Sequence, residues 1–142
     1  MDDPLRRRPS EPTLRWVADS IDAGSRIASM RRLTTGGWHA NHELTVLDRH
    51  GASHRLVLRR WARPQWVVED PDFTVQRETA VLELLEKSSV PVPRLVAADA
   101  AGAVCDVPTM LITRLPGRPP GLPGNMDAFL GGLARALSGF MP

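Results

Sequence analysis

The sequence has few of the features that mark disulfide-bonded or membrane proteins. It contains one cysteine, Cys105, so no disulfide can form within the chain, and a reducing compartment is expected. No stretch approaches the roughly 18 apolar residues of a membrane helix. The first residues also lack the apolar segment of a secretory signal. These absences predict a cytoplasmic protein that makes no contact with a membrane.

Lysine is nearly absent as well, because Lys87 is the only one and arginine supplies the remaining positive charge. The net charge of +2 gives little support to nucleic-acid binding. The charge is uneven, however. Residues 1–63 hold 12 arginines and 7 acids, a net +5, whereas residues 64–142 hold 6 basic and 9 acidic residues, a net −3. A chain of 142 residues corresponds to one domain of ordinary size, and its basic half needs a local explanation.

The spacing of apolar residues predicts an α+β fold. Residues 1–12 are polar and are expected to form a mobile arm, after which Thr13 can cap a helix that runs to about Ala23. Period-two patterns then predict three consecutive antiparallel strands, followed by a helix and two more strands. The predicted strands are 26–33, 42–48, 54–61, 94–99 and 108–115, and the helix between them is 73–87, with Asp70 or Asp72 at its start.

A proline- and glycine-rich linker, residues 116–125, precedes a last predicted helix. This helix, residues 126–140, has apolar residues at helical spacing, which form one stripe. They are Met126, Phe129, Leu130, Leu133, Leu137 and Phe140. The stripe needs a partner, and a stiff linker favours a helix that begins a new lobe. Self-association and a separate partner chain are the alternatives.

Two sequence features suggest a phosphate site. Gly36 and Gly37 lie between the first two strands, where they permit a tight turn and a close approach of backbone N–H groups to a phosphate. Alternation places Val57 and Arg59 on the same face of the third strand, so a base could lie over Val57 and phosphates near Arg59. Glu78, on the following helix, could orient Arg59 by a bidentate contact. Taken singly, a hairpin turn, an edge-strand charge and a solvated carboxylate explain these residues equally well.

Four segments together resemble a known family. They are LTTGGWHANHELTVL, RLVLRRW, ETAVLELLEKSSVPVPRLVAAD and VPTMLITRLPGRP. Over residues 14–137 the chain resembles the N-terminal lobe of the aminoglycoside phosphotransferases, relatives of choline kinase with a protein-kinase-like fold. The resemblance implies a five-stranded antiparallel sheet with one packed helix over residues 13–115, and a short N-terminal helix. It also implies a hinge linker at 116–125 and the first helix of a truncated C-terminal lobe at 126–142.

The resemblance also implies residue roles and a nucleotide ligand. Gly36 and Gly37 would cover the phosphates, and Arg59 would contact them with Glu78 as its helix partner. The segment from Thr113 to Leu115 would be the hinge whose backbone contacts the base. The ligand would be ATP or GTP with Mg²⁺.

The chain departs from the family in two places. Arg59 stands where many relatives carry lysine. The His-Gly-Asp catalytic motif, a later asparagine and a metal-binding aspartate are absent, since His50-Gly51-Ala52 lacks the aspartate. The sequence therefore predicts a nucleotide-binding lobe, a truncated or split product that is inactive alone. The alternative is a non-catalytic binding or regulatory module that pairs with a separate C-terminal lobe.

Other candidate sites receive less support from the sequence. His39 and His42 would point to opposite faces of a strand, and no metal site is expected. Cys105 lacks a neighbour that would activate it as a nucleophile. A third function, nucleic-acid binding through Arg6–Arg8, Trp61 and Trp66, predicts a steep salt dependence.

Overall fold

The structure is a computed structural model that describes residues 2–34, 37–63, 65–119 and 121–139, without the side chains of Trp66 and Val67. Five strands and four α-helices follow one another along the chain. The strands are β1 (Arg26–Leu33), β2 (Ala40–Leu47), β3 (Ser53–Arg60), β4 (Leu95–Asp99) and β5 (Thr109–Thr113). The helices are α1 (Glu11–Asp19), α2 (Gln65–Glu69), α3 (Val75–Leu85) and α4 (Met126–Ser138), and a 3₁₀ turn spans Pro4–Arg6.

The strands form one antiparallel sheet in the order β1-β2-β3-β5-β4. This confirms the predicted α+β fold and its five-stranded antiparallel sheet. Neighbouring strands pair with few irregularities, and β2 alternates between buried and half-buried residues along its whole length. That alternation arises because successive side chains point to opposite faces of a strand.

One face of the sheet, here called the α1 face, carries the main apolar core. Val17 of α1 packs there against side chains from three central strands, and Trp16 and Ile21 extend the contact. The buried strand residues of this cluster are Leu44, Val46, Leu56, Leu58 and Leu111. Burial of this apolar surface is the main force that holds α1 on the sheet.

The opposite face, here called the α3 face, is divided into two halves. Over β4 and β5, helix α3 buries a second cluster that contains Trp61, Val75 and Met110. Over β1, β2 and the start of β3, the same face presents polar and charged side chains. These are Ser29, Arg31, Glu43, Thr45 and Arg55. The face that bears Val57 and Arg59 is therefore partly packed and partly polar.

Helix α1 begins before the predicted cap. Ser10, not Thr13, is the N-cap, and its side chain accepts a hydrogen bond from the backbone N–H of Thr13. The Thr13 hydroxyl instead donates to Asp106 at 2.6 Å, and Asp106 also pairs with the buried Arg60 at 3.0 Å. The helix ends at Asp19, short of Ala23.

The segment before α1, for which the sequence predicts mobility, contacts the rest of the chain. Arg60 donates a hydrogen bond to the carbonyl of Arg7, and Arg63 pairs with Asp3 at 3.2 Å. Both contacts join this segment to β3 or to the residues that follow it.

The other helices differ from expectation at their ends. Thr74 caps α3, whereas Asp72 pairs with Arg77 in the first turn at 2.8 Å. The short helix α2 was not predicted, because five residues carry too little periodicity. Helix α4 follows the predicted stripe, of which Phe140 lies outside the described residues.

Candidate functional site

The predicted pairing of Arg59 with Glu78 is present in the structure. Arg59 lies on the α3 face of β3, and Glu78 lies in the first turn of α3. Oε1 of Glu78 is 3.0 Å from Nε of Arg59, off the direction of its N–H, so the contact is an ion pair rather than an aligned hydrogen bond. The expected bidentate contact is absent from these two side chains. The packing of Val75 beneath α3 places Glu78 at this point.

The Arg59 guanidinium lies beside Trp61, which belongs to a cluster of aromatic side chains. Its central carbon lies 5.6 Å from the centre of the Trp61 ring, within the range of a cation–π interaction. Trp61 is buried, and its indole N–H donates to the carbonyl of Phe73 at 3.1 Å. The ring of His39 packs against Trp61 and Phe73, with centroid distances of 4.5 and 4.7 Å. These contacts hold the strand end beside Arg59 in one arrangement.

His39 is a neutral side chain in this cluster at neutral pH. Burial, and secondarily the positive charge of Arg59, lowers the pKa of His39 to about 3. Its Nε2 atom is buried without a hydrogen-bond partner in the described part of the chain. His39 therefore adds no second positive charge beside Arg59.

Only part of the glycine turn can be located. Gly36 lies outside the described residues, whereas Gly37 is described and exposed. A Cβ atom at Gly37 would meet nothing within 4 Å, and its φ angle is not positive. The described backbone therefore does not itself require glycine at residue 37.

Three arginines surround Glu43, the residue directly opposite Val57 on β2. Arg55 contributes Nη2 and Arg114 contributes Nε, each 2.7 Å from Oε1, and Arg31 donates to Oε2. The hydrogen bonds from Arg55 and Arg31 hold the pKa of Glu43 below its usual range. An open concavity of about 400 Å³ adjoins the Glu43 side of this cluster.

Sequence reasoning missed this cluster. The alternation of β2 and β3 was sufficient to place Glu43 beside Val57, but Arg114 directly follows β5, a strand that is not adjacent to β2. Only the strand order brings these two residues together.

The predicted hinge already uses some of its polar groups. The N–H of Thr113 donates to the carbonyl of Arg94 at 2.9 Å, and its hydroxyl accepts from the N–H of Arg94 at 2.8 Å. The carbonyl of Leu115 accepts from Nη1 of Arg114 at 3.0 Å. The N–H of Thr113 is therefore not free to bind a base. A base that binds the carbonyl of Leu115 would have to share that carbonyl with Arg114 or displace Arg114 from it.

The remaining candidate groups are dispersed or inert. Within the described ranges, no three His, Cys, Asp or Glu side chains come close enough to hold a metal ion. Burial raises the pKa of the Cys105 thiol to about 11, so it stays protonated at neutral pH. His54 pairs with Asp48 at 2.9 Å. No described helix has the length and apolar character needed to span a bilayer.

Comparison with known proteins identifies a family and a fold. Residues 44–140 match the profile of the Phosphotransferase enzyme family, a range that includes Val57, Arg59, Glu78 and the hinge. None of the curated proteins matches the chain.

A crystal structure of a candidate aminoglycoside phosphotransferase from Ralstonia eutropha JMP134 resembles this chain, with a TM-score of 0.60 and 17% identity. The similarity covers 93% of this chain and 38% of that protein, so the chain spans well under half of its structural relative. At this identity the likeness establishes a shared fold, which agrees with the predicted kinase-like lobe. Because the profile match covers more than half of the sequence, this chain belongs to the Phosphotransferase enzyme family.

Proposed function

We propose that this chain is the nucleotide-binding lobe of a small-molecule kinase that uses ATP or GTP. The observation that carries the proposal is the ion pair between Arg59 and Glu78, with its 3.0 Å contact on the α3 face. A guanidinium that a carboxylate orients is well suited to contact phosphate oxygens, because it is planar, always charged and rich in donors. Such a nucleotide-dependent enzyme would work in the cytoplasm.

The proposed site assigns a separate task to each part of the nucleotide. Arg59 binds phosphate oxygens, and Glu78 keeps its guanidinium directed toward them. Gly36 and Gly37 let backbone N–H groups approach the phosphates. The base lies on the Val57 side, near Thr113 and Leu115.

Magnesium would accompany the nucleotide and supply charge neutralisation on its phosphates. The residues beside Arg59 do not fit a metal site, since Glu78 is already paired with Arg59 and the described chain has no cluster of metal ligands. This lobe's own contribution is to bind and position the nucleotide.

Phosphoryl transfer also needs a group that accepts the proton of the acceptor hydroxyl. In the resembling family that group belongs to a His-Gly-Asp motif, which these 142 residues do not contain. The chain by itself is expected to bind nucleotide without transferring phosphate.

A second function is favoured by the exposed apolar stripe of α4. Met126, Phe129, Leu130, Leu133 and Leu137 are between 41 and 58% exposed. An apolar stripe of this kind is typical of a surface that another element covers. The alternative is therefore a non-catalytic binding or regulatory module whose α4 pairs with a separate C-terminal lobe, or with a second copy.

Calorimetric titration of the purified chain with Mg·ATP and Mg·GTP, together with a hydrolysis assay, tests the first proposal. We expect binding without turnover. Arg59→Ala should weaken binding about tenfold or more, because a charge-assisted contact to phosphate is lost. Glu78→Gln, which keeps the side-chain size, should weaken it less.

The matched control is Arg135→Ala, which removes one positive charge from the exposed side of α4. Thermal unfolding of each variant shows whether its fold is intact. Equal effects of Arg59→Ala and Arg135→Ala on binding would contradict the phosphate role of Arg59. A failure of the wild-type chain to bind either nucleotide would favour the non-catalytic module.

A further inference from the structure

The side chains of Glu43 and Arg114 meet across the middle strand of the sheet; we call this pair the crossbar. Glu43 is on β2 and faces Val57, whereas Arg114 follows β5, and its backbone N–H donates to the carbonyl of Arg55 at 3.0 Å. Strand β3 lies between β2 and β5, so the two backbones are about 10 Å apart, two strand spacings. The side chains nevertheless approach to 2.7 Å.

This separation fixes the direction of both side chains. Neither could reach the other if it stood upright on the sheet, because the gap is close to their combined extended length. They must lie along the surface and cross β3 near Val57. The crossbar therefore crosses β3 beside Val57, the residue over which the sequence places the base.

The guanidinium of Arg114 is held by one ion pair and one hydrogen bond. Nε lies 2.7 Å from Oε1 of Glu43, and Nη1 donates to the carbonyl of Leu115 at 3.0 Å. Its side chain is 22% exposed, whereas those of Arg31 and Arg55 are 68 and 59% exposed. These two contacts restrict the position of the Arg114 guanidinium between the hinge and β2.

We propose that the base of the nucleotide stacks on the guanidinium plane of Arg114, which makes Arg114 a base-contacting residue and Glu43 the residue that positions it. This inference rests on the proposed nucleotide-binding function and adds to it. Guanidinium groups stack readily on flat aromatic rings, since their charge is delocalised and weakly hydrated.

An approaching anion would meet the more exposed Arg31 and Arg55 of this cluster before Arg114, whose side chain is 22% exposed. The planar guanidinium of Arg114 suits a flat ring. A guanidinium that two contacts already restrain loses little further conformational entropy when a flat ring covers it. Arg59, which lies two residues further along β3 than Val57, stays available for the phosphates.

The experiment compares three ligands that contain different parts of a nucleotide: adenosine, Mg·ATP and tripolyphosphate. Calorimetry measures their dissociation constants for the wild type and for Arg114→Ala, Arg114→Lys and Glu43→Gln. Both Arg114 variants should bind adenosine and Mg·ATP about tenfold more weakly, with tripolyphosphate unchanged. Glu43→Gln should also raise the dissociation constant for adenosine, by a smaller factor.

The matched control is Arg15→Ala, which removes a positive charge from the exposed side of α1, on the other face of the sheet. This variant should bind all three ligands with the same dissociation constants as the wild type. Arg114→Lys keeps the positive charge but lacks the planar guanidinium. It keeps the test decisive if the alanine variant fails to fold.

Several outcomes would overturn the inference while the proposed function stands. In one, Arg114→Ala binds adenosine as tightly as the wild type does, or more tightly. That result would mean that the Arg114 side chain fills space near Val57 without stabilising the bound base. In another, Arg114→Lys retains full affinity, which would point to charge instead of stacking. If the wild type binds neither adenosine nor Mg·ATP, the proposed function itself fails, and this inference fails with it.

Discussion

His39 links the candidate site to the stability of the fold at the scale of single residues. Its ring is packed between Trp61 and Phe73 and is neutral in the folded chain, because its pKa is lowered to about 3 by burial and by Arg59. In the unfolded chain a histidine has a pKa of about 6.5. Below that pH the unfolded state therefore binds a proton that the folded state excludes.

The first prediction concerns stability in acid. The stabilising effect of a neutral His39 is fully present above about pH 6.5 and is lost as the pH falls toward 3, by up to about 1.4 kcal/mol per pH unit. His42, whose pKa burial lowers to about 4, acts in the same direction. His39→Phe should flatten the slope of unfolding free energy against pH by about one proton. Urea denaturation between pH 7 and 5 measures this slope.

The control for this prediction is His50→Phe, which replaces an exposed histidine in the β2–β3 turn. The two variants have the same change in side chain and differ in burial. If both flatten the slope equally, or if neither does, burial of His39 is not the cause of the acid sensitivity.

At the scale of the elements, the strands were predicted more closely than the helices. Strand β1 has the predicted range, and the other strands differ from prediction by one or two residues at their ends. Strands were predicted well because successive side chains point to opposite faces of a sheet, so a sheet with one apolar and one more polar face produces period-two alternation in the sequence. Helix starts were less well predicted, because Ser10, Thr13, Asp72 and Thr74 are all acceptable caps and only tertiary contacts select among them.

The candidate site was likewise predicted only where local sequence patterns determine it. Local patterns predicted that Val57 and Arg59 share a face and that α3 brings Glu78 to Arg59. The crossbar of Glu43 and Arg114 was not predictable, because it depends on β5 pairing with β3 rather than with β4 alone. Glu43 lies on β2 and Arg114 follows β5, and the sequence alone does not show that β3 lies between these two strands.

Helix α4 gives a prediction at this scale. The asparagine side chain of Asn125 accepts from the N–H of Ala128 at 2.9 Å, so the helix has its own N-cap. Its apolar stripe is nevertheless largely exposed. We expect the isolated chain to self-associate through this stripe. A chain that ends at Gly124 should keep its sheet and become monomeric, as measured by analytical ultracentrifugation and circular dichroism.

Substitution separates the stripe from the helix as a whole. The double variant Phe129→Gln and Leu133→Gln should also be monomeric, since both changes remove apolar surface from the stripe. Its control is the double variant Asp127→Gln and Arg135→Gln, which alters two polar residues of the same helix. A wild-type chain that is monomeric with α4 protected from proteolysis would contradict the prediction.

At the scale of the whole molecule, the excess positive charge of residues 1–63 is distributed among ion pairs. At least eight of its 12 arginines lie beside a carboxylate. They are Arg6, Arg7, Arg31, Arg49, Arg55, Arg59, Arg60 and Arg63. These pairs lie on both faces and on the N-terminal segment. A nucleic-acid backbone needs unpaired basic groups along one continuous surface.

The last prediction therefore concerns nucleic acid. We expect the chain to bind a labelled single-stranded 20-mer weakly at low salt and not at about 150 mM salt, with a shallow dependence of log K on log salt. Replacement of Arg6, Arg7 and Arg8 by alanine should leave nucleotide binding unchanged, because Arg6 and Arg7 pair with neighbouring aspartates away from Glu78. Fluorescence anisotropy measures both properties. Tight binding of the 20-mer with a slope steeper than about −5 would require a continuous basic surface and would contradict the charge distribution described above.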